Sequence, residues 1–333
     1  MKISERPDLT VTVVSWNTRD LVRACLRSIK TGAFQARIEV HIVDNASTDG
    51  TVEMVQEEFP DVRLFANSQN VGFARANNQS WRESLGRYWM LLNSDAEVRP
   101  LALDNLVGFM DTHPKTGLAT ARLVSADGTP QYCAQPIPSN LRTALETARL
   151  HKLLPASVRN SLLLSTYWTY DRAIRVGWTW GTALVARREA VERVGPLSEK
   201  FFMYGEDLEW CLRMRRQNWE VWFCPDAEVL HHGGQSSMQQ WSEVRLAHRM
   251  WDGFYEALFL HRSWISVRAL QVITLASSCV EWLALRIRRR TVTSQLAASI
   301  RYHFDALKGE VLKPGNRVGR SVPIKPLPGK HVL

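Results

Sequence analysis

The sequence predicts an α/β fold, a mostly parallel sheet flanked by helices, with a C-terminal helical extension. Two observations carry this. Four short apolar, β-branched runs alternate with amphipathic helical stretches over residues 10–92, the pattern of a right-handed βαβ series. The chain has 333 residues, 45% hydrophobic and 23% charged, enough for one large domain with appendages and too apolar for a wholly disordered protein.

The first strand is residues 10–16, a Thr/Val run of the kind buried in a parallel sheet, and Asn17 and Thr18 supply turn and cap chemistry. The following helix, Arg19 to Thr31, sets Leu21, Val22, Cys25, Leu26 and Ile29 at helical spacing before Gly32. Glu39 to Asp44 is the second strand, and Thr51 to Phe59 a second helix closed by Pro60. Val62 to Ala66 is the third strand, a helix then runs to about Leu85, and Tyr88 to Leu92 is the fourth strand. Beyond Val98 the pattern becomes mixed: a helix near Leu101 to Thr112, strands around Ala119 and Thr182, and an irregular region from Pro136 to Tyr170. After Gln235 the chain turns helical. Gln271 to Leu285 is apolar over about fifteen residues, shorter than the ~20 that span a bilayer, so a buried or interfacial helix is expected. These signals divide the chain into a domain over 8–237, a helical region over 238–310 and a basic tail over 311–333.

The formal charge is +9, which suits a polyanionic ligand, an anionic membrane face or nucleic acid. Much of the excess lies outside the sheet region, in Arg286, Arg288, Arg289 and Arg290 and in the stretch from Asn316 on. Five cysteines without C-x-x-C spacing read as reduced packing residues. The opening residues are charged and lack an apolar signal core, so cytoplasmic residence is expected.

In a sheet of this kind ligands sit beyond the carboxyl ends of the strands. Trp16, Asn17, Asp44, Asn45, Asn93, Ser94 and Asp95 all fall there. Asp44 and Asp49 could accept hydrogen bonds from a base or ribose, or belong to a loop whose Ser47 or Thr48 caps the next helix. Asp95 and Glu97 are hard oxygen donors suited to Mg²⁺ or Mn²⁺ on a diphosphate, with solvated loop carboxylates as the plain alternative. Glu206, Asp207 and Glu209 crowd a helix start, where acids cap, yet Gly205 lets the backbone approach closely and could hold one carboxylate toward a pocket as a general base. His231 and His232 precede Gly233 and Gly234, a pairing that could serve a metal or a phosphate or be structural.

Seven segments in order resemble the family-2 glycosyltransferases of the GT-A fold, particularly their rhamnosyltransferase-like branch. They begin at Val13-Val-Ser-Trp-Asn, Val43-Asp-Asn-Ala-Ser-Thr-Asp-Gly, Asn70-Val-Gly-Phe-Ala, Leu91-Leu-Asn-Ser-Asp, Gly181-Thr-Ala-Leu-Val, Phe202-Met-Tyr-Gly-Glu-Asp and Val229-Leu-His-His-Gly-Gly, and together cover roughly residues 10–237. The resemblance implies transfer of a sugar, rhamnose being the branch's example, from a nucleotide diphosphate donor with inversion. The acceptor would be a glycan or lipid-linked glycan of bacterial polysaccharide or cell-wall biosynthesis. By the same resemblance Asp207 would be the general base, and Asp95 and His231 would hold the divalent cation. Asp44 would contact the base, while Ser15, Asn17, Asn70, Gly72, Asn77, Asn93 and Ser94 would line the donor pocket. Trp178, Trp180, Gly181, Tyr204 and Glu206 are candidates for the sugar or acceptor pocket. The metal loop reads Asn-Ser-Asp, which leaves Asn93 and Glu97 open as further contacts.

A sugar-phosphate nucleotidyltransferase would share the sheet and cation, but it calls for a Gly-rich basic loop after the first strand, and Val13 to Arg19 has no glycine. A non-catalytic nucleotide-binding module rests on charge alone, and no nucleic-acid partner is expected. For the C-terminal region, an anionic membrane surface and a homodimer interface stand as the two expected roles.

Overall fold

The computed structural model of the chain describes residues 6–32, 34–233 and 242–309. Strands β1 (Leu9–Ser15), β2 (Ile38–Asp44), β3 (Arg63–Ala66) and β4 (Tyr88–Asn93) are all parallel and lie in the order β3-β2-β1-β4. Helices α1 (Arg19–Thr31), α2 (Thr51–Glu58) and α3 (Phe73–Glu83) make the crossovers. Each element stands within a few residues of its expected place.

The strand β1 is buried along both faces, which is why it reads as a continuous run with no alternation. Its threonines are hydrogen-bonded inside: Thr12 shares a hydroxyl contact with Ser80 and accepts the Trp89 indole N–H at 2.8 Å, so a polar side chain sits in the core without an unmet group. Trp89 lies beside Trp81 and Trp210, joining the sheet to helices on both sides of the sequence.

The rest of the sheet is mixed. After the short strand β5 (Ala96–Val98), helix α4 (Ala102–Thr112) leads to β6 (Thr116–Val124). Two short helices, α5 (Asn140–Thr147) and α6 (Ala156–Leu163), occupy the region read as irregular. Ser139 caps α5 and Pro155 precedes α6, local signals masked by the surrounding prolines. β7 (Ile174–Arg175) and β8 (Ala183–Arg187) follow, then helices α7 (Arg188–Val194) and α8 (Glu206–Arg216) and the long strand β9 (Glu220–His231). β8 runs antiparallel to both β4 and β6, β9 is parallel to β6, and β5 and β7 pair antiparallel with β9. Because β8 is reversed, the residues before it, Gly181 and Thr182, arrive at the carboxyl end of β4, where the Asn93 N–H donates to the Thr182 carbonyl at 2.9 Å. That reversal brings a segment from late in the chain to the mouth formed by β1, β2 and β4.

Three C-terminal helices complete the structure: α9 (Glu243–His261), α10 (Trp264–Ile287) and α11 (Ser294–Leu307). Their core takes Phe201, Leu208 and Leu212 from around α8 and joins them to Tyr255, Leu258, Val267, Leu270 and Tyr302. The extension therefore packs on the helix that bears Asp207. The expected division at 237/238 and the tail over 311–333 fall outside the described residues. At 24 residues α10 is longer than the expected apolar stretch, and by length and composition alone it could cross a membrane.

Candidate active site

The loops after β1 and β2 are stitched together by Asn17. Its backbone N–H donates to Ser47 Oγ and its side-chain oxygen accepts the Thr48 N–H, both at 2.8 Å, with Asn17 itself at a left-handed φ of 51° that asparagine tolerates. Asp44 is buried, and its Oδ2 accepts the Ser47 N–H at 2.8 Å while Oδ1 has no partner among the described residues. Burial, reinforced by the charge of Asp49, pushes the Asp44 carboxyl above its ordinary range. A ligand N–H or hydroxyl reaching Oδ1 would satisfy the group and stabilise its charged form.

Ser15 and Ser94 belong to a buried hydroxyl chain: Ser15 Oγ meets Thr18 Oγ1 at 3.2 Å, and Thr18 donates to Ser94 at 3.1 Å. The chain fixes the β4 loop against the β1 loop. Asn70 closes a turn, its Oδ1 accepting the Gly72 N–H at 3.0 Å. Gly72 is needed for a second reason besides its φ of 86°: a Cβ there would lie 2.5 Å from the Phe202 carbonyl oxygen, which accepts the Phe73 N–H at 2.7 Å. Asn77 bonds back to the Phe73 carbonyl within α3, and its buried Oδ1 has no partner among the described residues.

At the other side of the mouth, Asp95 and His231 are both buried, with His231 Nε2 3.3 Å from Asp95 Oδ1. Gln131 decides the histidine tautomer. Its amide nitrogen donates to the His231 carbonyl at 2.8 Å, so its Oε1 is the acceptor for His231 Nδ1 at 2.7 Å, which puts the ring proton on Nδ1. In the neutral ring Nε2 then presents a lone pair toward Asp95, and it has no hydrogen-bond partner among the described residues. Two acceptors at that separation need a proton or a cation between them. Among the described residues no cluster of three or more His, Cys, Asp or Glu side chains could hold a metal, and Asp95 with His231 offers two candidate ligands, the remaining positions of a bound cation being open to phosphate or water oxygens. Glu97 is engaged by His232 at 2.7 Å, and Gly234 lies outside the described residues.

Asp207 stands in the first turn of α8. Its Oδ1 accepts the Leu208 N–H at 2.7 Å and its Oδ2 faces the Gly181 N–H at 3.4 Å. Burial raises its carboxyl above the ordinary range despite these bonds and the helix N-terminus. Glu206 is also buried, with Oε2 unpartnered among the described residues, and its carboxyl is raised by burial first and by the adjacent Asp207 second. Gly205, at φ 94°, lies against α9: a Cβ on it would come 2.4 Å from the Gly253 carbonyl oxygen, and one on Gly253 would come 2.1 Å from the Tyr204 carbonyl oxygen. The Asp207 loop is thus held between the Gly72 turn on one side and helix α9 on the other. Tyr204 and Trp180 are half-buried, and Trp178 packs toward Phe254 of α9 with ring centroids 6.4 Å apart.

One run of contacts joins the two ends of the mouth: Asp207 to Gly181, Thr182 to Asn93, then Ser94 and Asp95 to His231. Sequence reading missed Gln131, which sets the His231 tautomer, and Gly253, which seats the Asp207 loop. The glycine inside an apolar helix was the one available signal for the second. No local pattern marked the first.

Residues 10–165 match the family described as glycosyl transferase family 2, and residues 89–302 match glycosyl transferase family group 2. An N-acetylglucosaminyl-diphospho-decaprenol L-rhamnosyltransferase of Mycobacterium tuberculosis is 28% identical over 244 residues, 69% of this chain and 77% of the relative. A low-salt glycan biosynthesis hexosyltransferase of Haloferax volcanii is 23% identical over 310 residues, 91% of each chain. Among solved structures, a mannosyltransferase of Pyrobaculum calidifontis in complex with GDP-Man and Mn²⁺ superimposes with a TM-score of 0.57 at 18% identity, covering 92% of this chain and 89% of the other. The expected GT-A type of fold is therefore the one observed.

Proposed function

We propose, since the chain belongs to glycosyltransferase family 2, that it moves a hexosyl group, rhamnose being the first candidate, from a nucleotide diphosphate donor to a hydroxyl of a lipid-linked glycan with inversion. The observation that supports this reading is the run of contacts from Asp207 to the Asp95 and His231 pair, which sets a raised carboxylate and a cation-ready pair on one mouth. Asp207 takes the proton of the acceptor hydroxyl. The acceptor oxygen bonds to the anomeric carbon from the face opposite the diphosphate, and the bond to the diphosphate oxygen breaks. A carboxyl held above its ordinary range matches a hydroxyl's proton better than a solvated one does. Asp95 and His231 would hold a divalent cation, Mg²⁺ or Mn²⁺, whose chemistry is to share the negative charge of the diphosphate. Asp44 Oδ1, buried and without a partner among the described residues, would receive a hydrogen bond from the nucleoside, and Glu206 would keep the neighbourhood of Asp207 dry. Four buried, unpaired cysteines fit a reducing cytoplasm as the place of action.

A screen of nucleotide sugars for donor hydrolysis and transfer, with Mg²⁺ and with Mn²⁺, tests the reading. Turnover with one donor, lost in Asp207→Asn and retained in part in Glu206→Gln, is expected. Normal turnover in Asp207→Asn with a dead Glu206→Gln moves the base to Glu206, and full activity in excess chelator removes the cation.

A further inference from the structure

We propose that α10 lies in the plane of an anionic bilayer surface, with its outward stripe from Ile265 to Ile287 sunk among the outer acyl segments. The helix leaves most of its apolar surface outside, since only Val267, Leu270, Gln271 and Ser278 are buried. At 100° per residue, Ile265, Val272, Ala276, Cys279, Val280, Leu283 and Ile287 share one face, all exposed and none charged; Ile265 and Ile287 stand 74% and 73% exposed. The buried residues Val267, Leu270, Gln271 and Ser278 lie on the opposite side, where the Ser278 hydroxyl meets Ser299 of α11 at 3.3 Å and Glu281, nearer the helix end, is exposed. A helix made for water carries its polar side chains outward. An apolar stripe running the length of a 24-residue helix marks a surface that meets something apolar.

The packing against α11 also sets the orientation. Arg268 reaches from α10 to Gln271 and to the Ala306 carbonyl, so one side of the helix is tied to α11 and only the other is free to meet hydrocarbon. Such a helix lies in the interface instead of spanning it. Charge names the surface. Arg286, Arg288, Arg289 and Arg290 are exposed at one end of the stripe. At the other end, the Asn140 side chain donates to the Ser266 carbonyl at 3.0 Å and so brings in the α5–α6 segment, with exposed Leu141 and Leu153 beside exposed Arg149 and Lys152. Apolar residues flanked by cations at both ends suit anionic lipid. A two-fold pairing of two copies along the stripe would oppose basic ends to each other whichever way the helices ran.

The test uses the full chain and the one exposed cysteine among the described residues, Cys279, which lies on the stripe; Cys25, Cys133, Cys211 and Cys224 are buried. Cys279 is labelled with a polarity-sensitive fluorophore and mixed with phosphatidylcholine vesicles, with or without phosphatidylglycerol, that carry spin labels at shallow or deep acyl positions. A blue shift is expected, with shallow labels quenching more than deep ones and partitioning about tenfold stronger on anionic vesicles, falling with salt. Leu283→Asp with Ile287→Asp, both at exposed positions, should cut partitioning about tenfold while circular dichroism stays unchanged. Stronger quenching by the deep labels would make α10 a span and overturn the proposal. So would an unshifted probe, including the case in which sedimentation velocity shows a dimer that the aspartate variant dissociates. No sugar donor is present, so the outcome is independent of the proposed transfer.

Discussion

Around the sheet, α1 turns Val22, Cys25, Leu26 and Ile29 inward and leaves Asp20, Arg23 and Arg27 on its outer side, where they bond to one another and to Glu58. In α10 the buried side mixes Val267 and Leu270 with Gln271 and Ser278, while Val272, Val280 and Leu283 are outside. At the mouth of the first region polar groups such as Asp44 Oδ1 and His231 Nε2 are buried without partners among the described residues. The second is built for an apolar medium on one side. The two meet where Gly253 touches the Tyr204 and Gly205 backbone, two residues before Asp207. The proposed chemistry and the proposed surface attachment thus rest on separate elements that pack together, and substitutions can be chosen to strike either region or the Gly253 contact between them.

The largest effect is expected at the mouth. Asp207→Asn should lower kcat by about 10²- to 10⁴-fold, with donor affinity by calorimetry within a few fold, because a general base acts on the transition state. Vesicle partitioning should be unchanged; if it falls with kcat, the two regions are not separable. Asp95→Ala should weaken donor binding and turnover together by about 10- to 100-fold, and His231→Ala should do so more mildly. Gln131→Ala, which frees the imidazole to take either tautomer, should cost less again, and a metal titration of donor binding would rank the three.

At the Gly253 contact the effect should be intermediate. In Gly253→Ala the new methyl would sit 2.1 Å from the Tyr204 carbonyl oxygen, so backbone on one side must move. We expect a loss of about 1–3 kcal/mol of stability and about tenfold in kcat with donor affinity retained. Gly108→Ala is the control. It also lies within a helix, α4, but a Cβ there meets nothing within 4 Å, so it should gain about 0.5–1 kcal/mol and leave kcat alone. Equal losses in both variants would break the idea that α9 seats the base.

Those contrasts also explain what the sequence disclosed. Strands β1 to β4 were legible because a buried parallel strand must be an apolar, β-branched run, and Asp44, Asn93 and Asp95 were legible because they end such runs. Helix α10 was legible only in part: Gln271, Ser277 and Ser278 interrupt the hydropathy, and which of its faces is buried depends on α11. The tie between Gln131 and His231 spans 100 residues and leaves no local trace. Asp207 was visible as an acid at a helix start, but its raised carboxyl comes from burial, which only the packed structure supplies.

A prediction read from stability alone, with the smallest expected consequence for turnover, separates burial from catalysis at Glu206. Its carboxyl holds its proton to a higher pH in the folded protein than in the unfolded chain, because burial and the charge of Asp207 both disfavour the anion. Protonated on both sides of the folding equilibrium, the group costs nothing. As pH rises from the unfolded value through the folded one, the unfolded chain gives up its proton first, so folding loses stability until both forms are ionised. Glu206→Gln keeps the shape and cannot ionise. Melting temperatures of the two proteins should therefore coincide near about pH 4 and diverge upward for the Gln variant by about pH 8, with a gain of about 1–3 kcal/mol, or a few degrees in a chain of this size. A lower melting temperature for Glu206→Gln at the higher pH would mean that the anion has a stabilising partner, and would take from Glu206 the role of keeping Asp207 dry.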